Sequence, residues 1–494
     1  MNKTVIYLTY FCIYSAVLLA IGKSSFRMGN TKEQFYLGGR NLSLFRCVMT
    51  FSGTWVSAAT ILGFTGSVFE SGYTALLYSV IPWFAGAVLL TCISDRLYDN
   101  DILTIPEFFR KRFGSKGLQM VFALIMIVVY IMYLVIQIRG FGLVAATLFD
   151  IPYGIAILLI YLFILYSTFG GYHTVSKTDA FNLAALSAGL VMVFWVVVSR
   201  AGGIVFMHRQ AAQISGFAHA NMPYATDAGE LLRLFGKGKF APLMSATMFF
   251  GWGLGLAANP QYTVRMISAK DKRTAKKTVL CSMAFLAVLY FALIQIGLGM
   301  RVMFPQIDAV HETDEIFVHV IHNLLYGPWS GFFLFSIIGA CISTANSQLL
   351  LIASSFSYDL VKTLRKDLLS ESALLSLSRL SIFVGGTVSL LLSFHPPESL
   401  LTYGGDLWGV FGVTLFPLLY GALLYRHTTV QGVWAGLLSG ILCLALFYPP
   451  YYAGILPMHP SFPGTVVASL CFLGVSRLTF RQEQTMIDNQ EETP

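Results

Sequence analysis

Two adjacent hydroxyls, Ser343 and Thr344, stand inside the apolar run 329–357, within GACISTANSQ. Ser347 lies one helical turn beyond Ser343, so those two share a helix face. Hard cations take oxygen ligands from hydroxyls and carbonyls, and a site without a full carboxylate suits sodium. Backbone carbonyls released near Gly53 and Val56 would complete such a site. The competing reading is that these hydroxyls bond back to their own helix. Asp179 enters another apolar run just after GGYHTVSKT. A carboxylate inside a membrane span is expensive and marks function. It either serves a second cation or a proton, or caps its helix at the membrane surface. Arg139, in VYIMYLVIQIRGFGLVAATLFD, precedes Asp150 by roughly 16 Å of helix at 1.5 Å per residue. Snorkelling does not reach water from that depth. Arg139 therefore requires Asp406, another carboxylate or an anionic solute, which arginine grips bidentately, unless the span boundary lies elsewhere. Gln137, two residues earlier, shares a cavity with Arg139 only if that helix is irregular. Asp406, in TYGGDLWGVFG, sits nearer the outer interface, and Glu70 is expected at a solvated helix end.

These groups need elements that leave backbone exposed at membrane depth. Residues 51–69, FSGTWVSAATILGFTGSVF, have the apolar content of a span, yet carry Gly53, Gly63 and Gly66 and the hydroxyls Ser52, Thr54, Ser57 and Thr60. Each glycine weakens a helix by about 1 kcal/mol relative to alanine. In lipid every freed carbonyl must find a partner. Such a span either lines a cavity, where it meets a solute or a bare cation, or packs tightly through small residues. A second interrupted span, 244–265, carries Gly251, Gly253, Gly255 and Asn259-Pro260. Two broken spans in corresponding halves point to a binding site at the bilayer midplane. Trp55, Trp252, Tyr403 and Trp408 flank the inferred cavity.

The chain has 494 residues, 56% hydrophobic and only 11% charged, where soluble domains run near 25% charged. It is an all-α polytopic membrane protein embedded in a lipid bilayer. The net charge of +8 resides in short loops that set topology, so it implies no nucleic-acid partner. The seven cysteines form no C-x-x-C pair and read as buried hydrophobes. No H-E-x-x-H occurs among the nine histidines, and GWGLGLA follows no strand, so metal and nucleotide motifs are both excluded. No nucleophile and base pair suggests an enzyme. Windows of about 20 residues give roughly thirteen spans, the first a retained run near 4–21. Basic loops around Lys23, Arg27, Lys32 and Arg40, at Arg110–Arg112, and at Lys270–Lys277 place the N-terminus outside and the C-terminus in the cytoplasm. Five spans beginning at 51–69 and five beginning at 244–265 run oppositely, which is an inverted repeat. The expected divisions are 1–43, 44–199, an outer loop 200–240, 241–426, 427–480, and a polar tail 481–494 without order.

The motifs YLGGRNLS, GFTGSVFESG, TIPEFFRKRF, GGYHTVSKTDAFN, NPQYTVRMISAKD and ACISTANSQLL, in order from about residue 35 to 350, resemble those of the sodium/solute symporter family. The resemblance implies a leucine-transporter-like core with one accessory helix before it and two after. It implies sodium (Na+) as coupling ion, held by carbonyls of Gly53, Val56 and Ala340 and hydroxyls of Ser343 and Thr344. Asp179, with Ser343, Asn346 and Ser347, matches the place of a further cation or proton. Asn346 stands where a small hydroxyl is usual, and Asn182 where glutamine is common. The position of Arg139 resembles one that contacts substrate, which favours a carboxylate-bearing solute. Thr54, Trp55, Ser57, Thr60, Gln137, Trp252, Gly253, Tyr403 and Asp406 complete the expected solute site. The expected activity is sodium-driven import of a small organic solute across the cell membrane. A membrane solute sensor and a proton-coupled carrier are the alternatives.

Overall fold

The computed structural model describes residues 3–25, 31–168, 170–365, 368–397 and 399–491. The basic-loop residue Arg27, the expected span end Phe169 and the last three tail residues lie outside them. Among the described residues there are helices and isolated bridges but no strand ladder. The helices that matter here are α1 (Lys3–Ser25), α2 (Leu44–Trp55), α3 (Ala59–Ser71), α4 (Leu76–Asp99), α5 (Lys116–Phe149), α6 (Tyr153–Thr168) and α7 (Tyr172–Arg200). The second half holds α8 (242–258), α9 (Pro260–Ile267), α10 (Lys272–Met303), α11 (Ser330–Lys362), α12 (Glu371–Leu392) and α13 (Leu400–Leu424). Two more follow, α14 (Val430–Tyr452) and α15 (Ser461–Glu491).

Ten helices are long and apolar enough to cross a membrane alone, and the bent pair α2–α3 makes an eleventh. The roughly thirteen spans expected from composition are reached only by adding α6, an apolar helix of 16 residues, and the broken pair α8–α9. The polar tail expected to lack order continues α15 as helix to Glu491.

Both glycine-weakened spans are broken. α2 and α3 meet at 61°, with Val56 extended at φ −79°, ψ 103°. α8 and α9 separate at Asn259, extended at φ −68°, ψ 121°. Asn259 accepts from the Gln261 N–H at 2.9 Å and is followed by Pro260, which has no N–H to leave unsatisfied. The two broken helices run in opposite directions. Leu42, just before α2, exchanges backbone hydrogen bonds with Ser268 and Lys270, just after α9. At the far end Tyr73, after α3, donates to Leu231 in the loop that leads into α8, at 2.9 Å.

The connection between α10 and α11, residues 304–329, folds inward over this pair. Gly66 of α3 is what lets it approach: a Cβ there would fall 2.1 Å from the Thr313 carbonyl oxygen. Gly140 of α5 permits a similar close approach deeper in the fold, where a Cβ would lie 2.3 Å from that of Ala58 in the first break.

Candidate functional site

The break in the first span frees backbone groups that other helices then satisfy. The Ala58 N–H donates to Gln137 Oε1 of α5 at 3.2 Å. The Trp55 carbonyl accepts from the Thr60 hydroxyl at 3.2 Å, across the break. The Thr54 carbonyl accepts from Gln261 Nε2 of α9 at 3.0 Å, and the same amide reaches the Thr54 hydroxyl at 2.7 Å. Thr344 of α11 faces the same point, its hydroxyl 3.3 Å from the Thr54 carbonyl and 3.5 Å from that of Val56. These last contacts are long for a hydroxyl donor, whose usual distance is near 2.7–2.8 Å. A gap between oxygens of this kind is where a desolvated cation fits.

Ser343, next to Thr344, donates to Asp179 Oδ1 of α7 at 2.6 Å. Asp179 also accepts from the Thr50 hydroxyl and lies 3.6 Å from the Arg265 guanidinium. It sits well inside α7, completely buried, and so is not a helix cap at the surface. Gly53 packs where Asp179 and Ser343 meet; its Cβ would lie 3.3 Å from the Asp179 carbonyl and 3.4 Å from the Ser343 hydroxyl. Ala340 is buried one turn before Thr344. The residues Gly53, Val56, Ser343 and Thr344 are thus gathered at one place, between the first break and α11.

Of the residues expected around a second cation, Asp179, Ser343 and Ser347 gather around Arg265 Nη2, whereas Asn346 turns away. Ser347 accepts from Arg265 Nη2. The Asn346 side-chain Oδ1 turns to α6, accepting from Ser167 at 2.7 Å and Thr168 at 2.9 Å. Arg265, at the end of the interrupted run 244–265, carries no signal of a site role in the sequence. In the fold it is 1% exposed and donates to the Thr50 and Gln261 carbonyls at 3.0 and 2.6 Å. It ties α9 to α2 and α11 around Asp179.

The expected solute residues divide. Trp252 packs edge-on against Trp83 and Trp408, with ring centroids 4.8 and 4.9 Å apart. Trp55 packs on Tyr262 at 5.4 Å and donates from Nε1 to the Tyr290 hydroxyl at 3.0 Å. These rings close the centre between the broken helices, beside buried Ser57. Gly253 instead packs on α4, where a Cβ would meet the Pro82 carbonyl at 2.9 Å. Tyr403 lies half-buried in the first turn of α13. Asp406 accepts from Tyr452 at 2.9 Å and pairs with His459 Nε2 at 2.9 Å, so it belongs to the contact between α13 and the C-terminal helices.

Arg139 finds other carboxylates. It pairs with Glu312 and stands 3.9 Å from Asp314, both on the inward-folded connection between α10 and α11. α5 is regular through this region, so Gln137 and Arg139 point different ways: Gln137 to the break, Arg139 to the connection. Asp314 is completely buried and is fixed by the Leu400 N–H at 2.8 Å. Burial pushes its carboxyl up to about 6, against the opposing pull of Arg139.

Broken, oppositely directed helices with a hydroxyl pair at the break define a secondary transporter. The model of the sodium:solute symporter family matches residues 35–440, and the chain belongs to that family. Its activity is sodium-coupled symport; it is not an enzyme. A sodium/proline symporter of Staphylococcus aureus is 26% identical, over 94% of this chain and 91% of that protein. A solved sodium-coupled sialic acid symporter in a substrate-bound outward-open state superposes with a TM-score of 0.79 at 19% identity. That match covers 97% of each chain. A closed nucleobase-cation-symport-1 family transporter matches with a TM-score of 0.60 at 13% identity, over 92% of this chain and 96% of that one.

Proposed function

We propose that the protein imports a small carboxylate-bearing solute with sodium by alternating access. The observation that carries the sodium half is Thr344 facing the Thr54 and Val56 carbonyls across the 61° break. An ion there joins α11 to the joint on which α2 and α3 pivot, so its binding biases that joint. The contact between α2 and α9 through Gln261 carries the same bias to the second broken helix. Ser343 and Ala340 complete the ion's oxygen set in this reading.

The carboxylate half rests on Arg139, 2% exposed and already holding carboxylates of the protein. The solutes named for the similar proteins, proline and sialic acid, each bear a carboxylate. Trp55, Ser57, Thr60, Gln137 and Trp252 would line the path from Arg139 to the break. The N-terminus lies outside and the C-terminus in the cytoplasm in this reading. The repeats are 44–199 and 241–426, flanked by accessory helices and the loop 200–240.

Uptake measured with sodium and then with choline tests the coupling. Uptake that requires sodium is expected, and equal rates refute it. A second reading, proton coupling through Asp179, draws on its burial beside Ser343. It requires uptake driven by a pH gradient in the absence of sodium.

A further inference from the structure

An outer cavity of about 440 Å³ opens above the inward-folded connection, lined in part by Glu70, His219, Tyr224, Lys239, Glu312 and Thr313. Lys239 and Glu70 neutralise one wall at 3.1 Å. His219 is 4% exposed, and among the described residues neither ring nitrogen has a hydrogen-bond partner. A solute held here meets unused donor and acceptor capacity. Glu312 both lines this cavity and pairs with Arg139, which links the cavity to the arginine.

The two carboxylates on Arg139 differ in how they are held. Asp314 is buried and anchored by a backbone N–H at the start of α13. Glu312 keeps 38% of its side chain exposed, and among the described contacts its carboxylate is held by Arg139 alone. If Glu312 swings out and another carboxylate takes its place, charge around Arg139 is unchanged. Losing Glu312 without replacement leaves Arg139 with one carboxylate fewer beside Asp314, which is unfavourable for a buried cation. The exchange is therefore favoured for an anionic group and disfavoured for an empty or neutral one.

We propose that Glu312 is an internal stand-in for the solute's carboxylate: it closes the outer path by occupying Arg139 and is displaced by the arriving acid. This rests on the carboxylate reading of Arg139, and adds to it a gate and a selection step. A group that competes for the arginine also raises the apparent dissociation constant of the solute, since the competent state is only a fraction of the population.

The test measures opening without requiring transport. Ser57→Cys, and separately Thr60→Cys, place a reporter thiol beneath the gate. Whole cells receive a charged, membrane-impermeant thiosulfonate, and labelling of that cysteine is read by peptide mass spectrometry. Adding Glu312→Gln should raise the labelling rate about tenfold in the absence of solute, the change that follows a shift of about 1.4 kcal/mol in a two-state balance. Asp308→Asn, at an exposed carboxylate on the same connection, should leave it unchanged and controls for damage to the loop. In the Glu312-intact protein, acetate or L-proline should speed labelling and L-prolinamide should not. Equal labelling with and without Glu312→Gln overturns the gate, whatever the solute's chemistry. A faster rate in Glu312→Gln together with no effect of either acid overturns the exchange.

Discussion

Thr344→Val removes a hydroxyl while keeping the side chain's shape. Without an ion, that hydroxyl makes two long contacts with the Thr54 and Val56 carbonyls, at 3.3 and 3.5 Å. An ordinary intramolecular hydrogen bond is worth about 1 kcal/mol net, and these are weaker than ordinary. The fold should therefore tolerate the change, with a loss of at most about 1 kcal/mol. The ion-bound state should not. There the oxygen lone pair points at a full charge, and interactions with charged groups contribute about 1.5–3 kcal/mol. That corresponds to roughly a 10- to 100-fold rise in the sodium concentration for half-maximal uptake. Thr344→Ser keeps the ligand and should stay within about threefold of the parent protein, or about 0.7 kcal/mol. The assay is uptake into proteoliposomes over a sodium series, with thermal stability of the same samples measured without sodium. An unchanged sodium requirement in Thr344→Val, with the solute still accumulated, refutes the reasoning. So does an equal loss in Thr344→Val and Thr344→Ser, which would mark packing and not coordination.

Arg139→Gln should abolish uptake of a carboxylate solute, read as binding of the acid to purified protein; undiminished binding removes the anion reading. Gly66→Ala should lower the thermal midpoint, because a Cβ 2.1 Å from the Thr313 carbonyl forces the connection 304–329 away from α3, at roughly 1–3 kcal/mol; an unchanged midpoint would mean that the connection does not press on α3. Asp314 has its folded pKa raised to about 6 by burial, above an unfolded value near 3.9. The folded state then holds this proton more tightly, so the contribution of Asp314 to stability is fully present below about pH 4 and is lost as pH rises through about 6, by about 3 kcal/mol. Asp314→Asn should flatten that slope in midpoints measured across the range, and an identical slope would place the titration elsewhere.

Much of this architecture is legible in residue types because membrane physics is restrictive. Glycines and hydroxyls inside 51–69 and 244–265 announce broken helices, since lipid punishes unsatisfied backbone. The hydroxyl pair at 343–344 announces its partner for the same reason. Arg139 announces that a carboxylate must reach it, though not which one. Glu312 and Asp314 lie in a connection with no simple period, and only the fold brings it inward past Gly66. Arg265 and Gln261 are hidden because their partners, Ser347 and Thr54, lie 82 and 207 positions away. Asp406 misleads because a carboxylate in an apolar run says nothing of its counterpart; Tyr452 comes from the end of α14 and His459 from the turn before α15. The polar tail misleads in the other direction, since α15 runs on as helix where composition alone implies none.

In the proposed function an alkali ion sits between the first break and the hydroxyls of α11. Equilibrium binding of radioactive sodium to purified protein, with and without Ser343→Ala and Thr344→Val combined, tests it most directly. Saturable binding in the parent protein and its loss in the double variant, with the thermal midpoint in sodium-free buffer preserved, is the expected result. Saturable binding of undiminished affinity in the double variant would contradict the account.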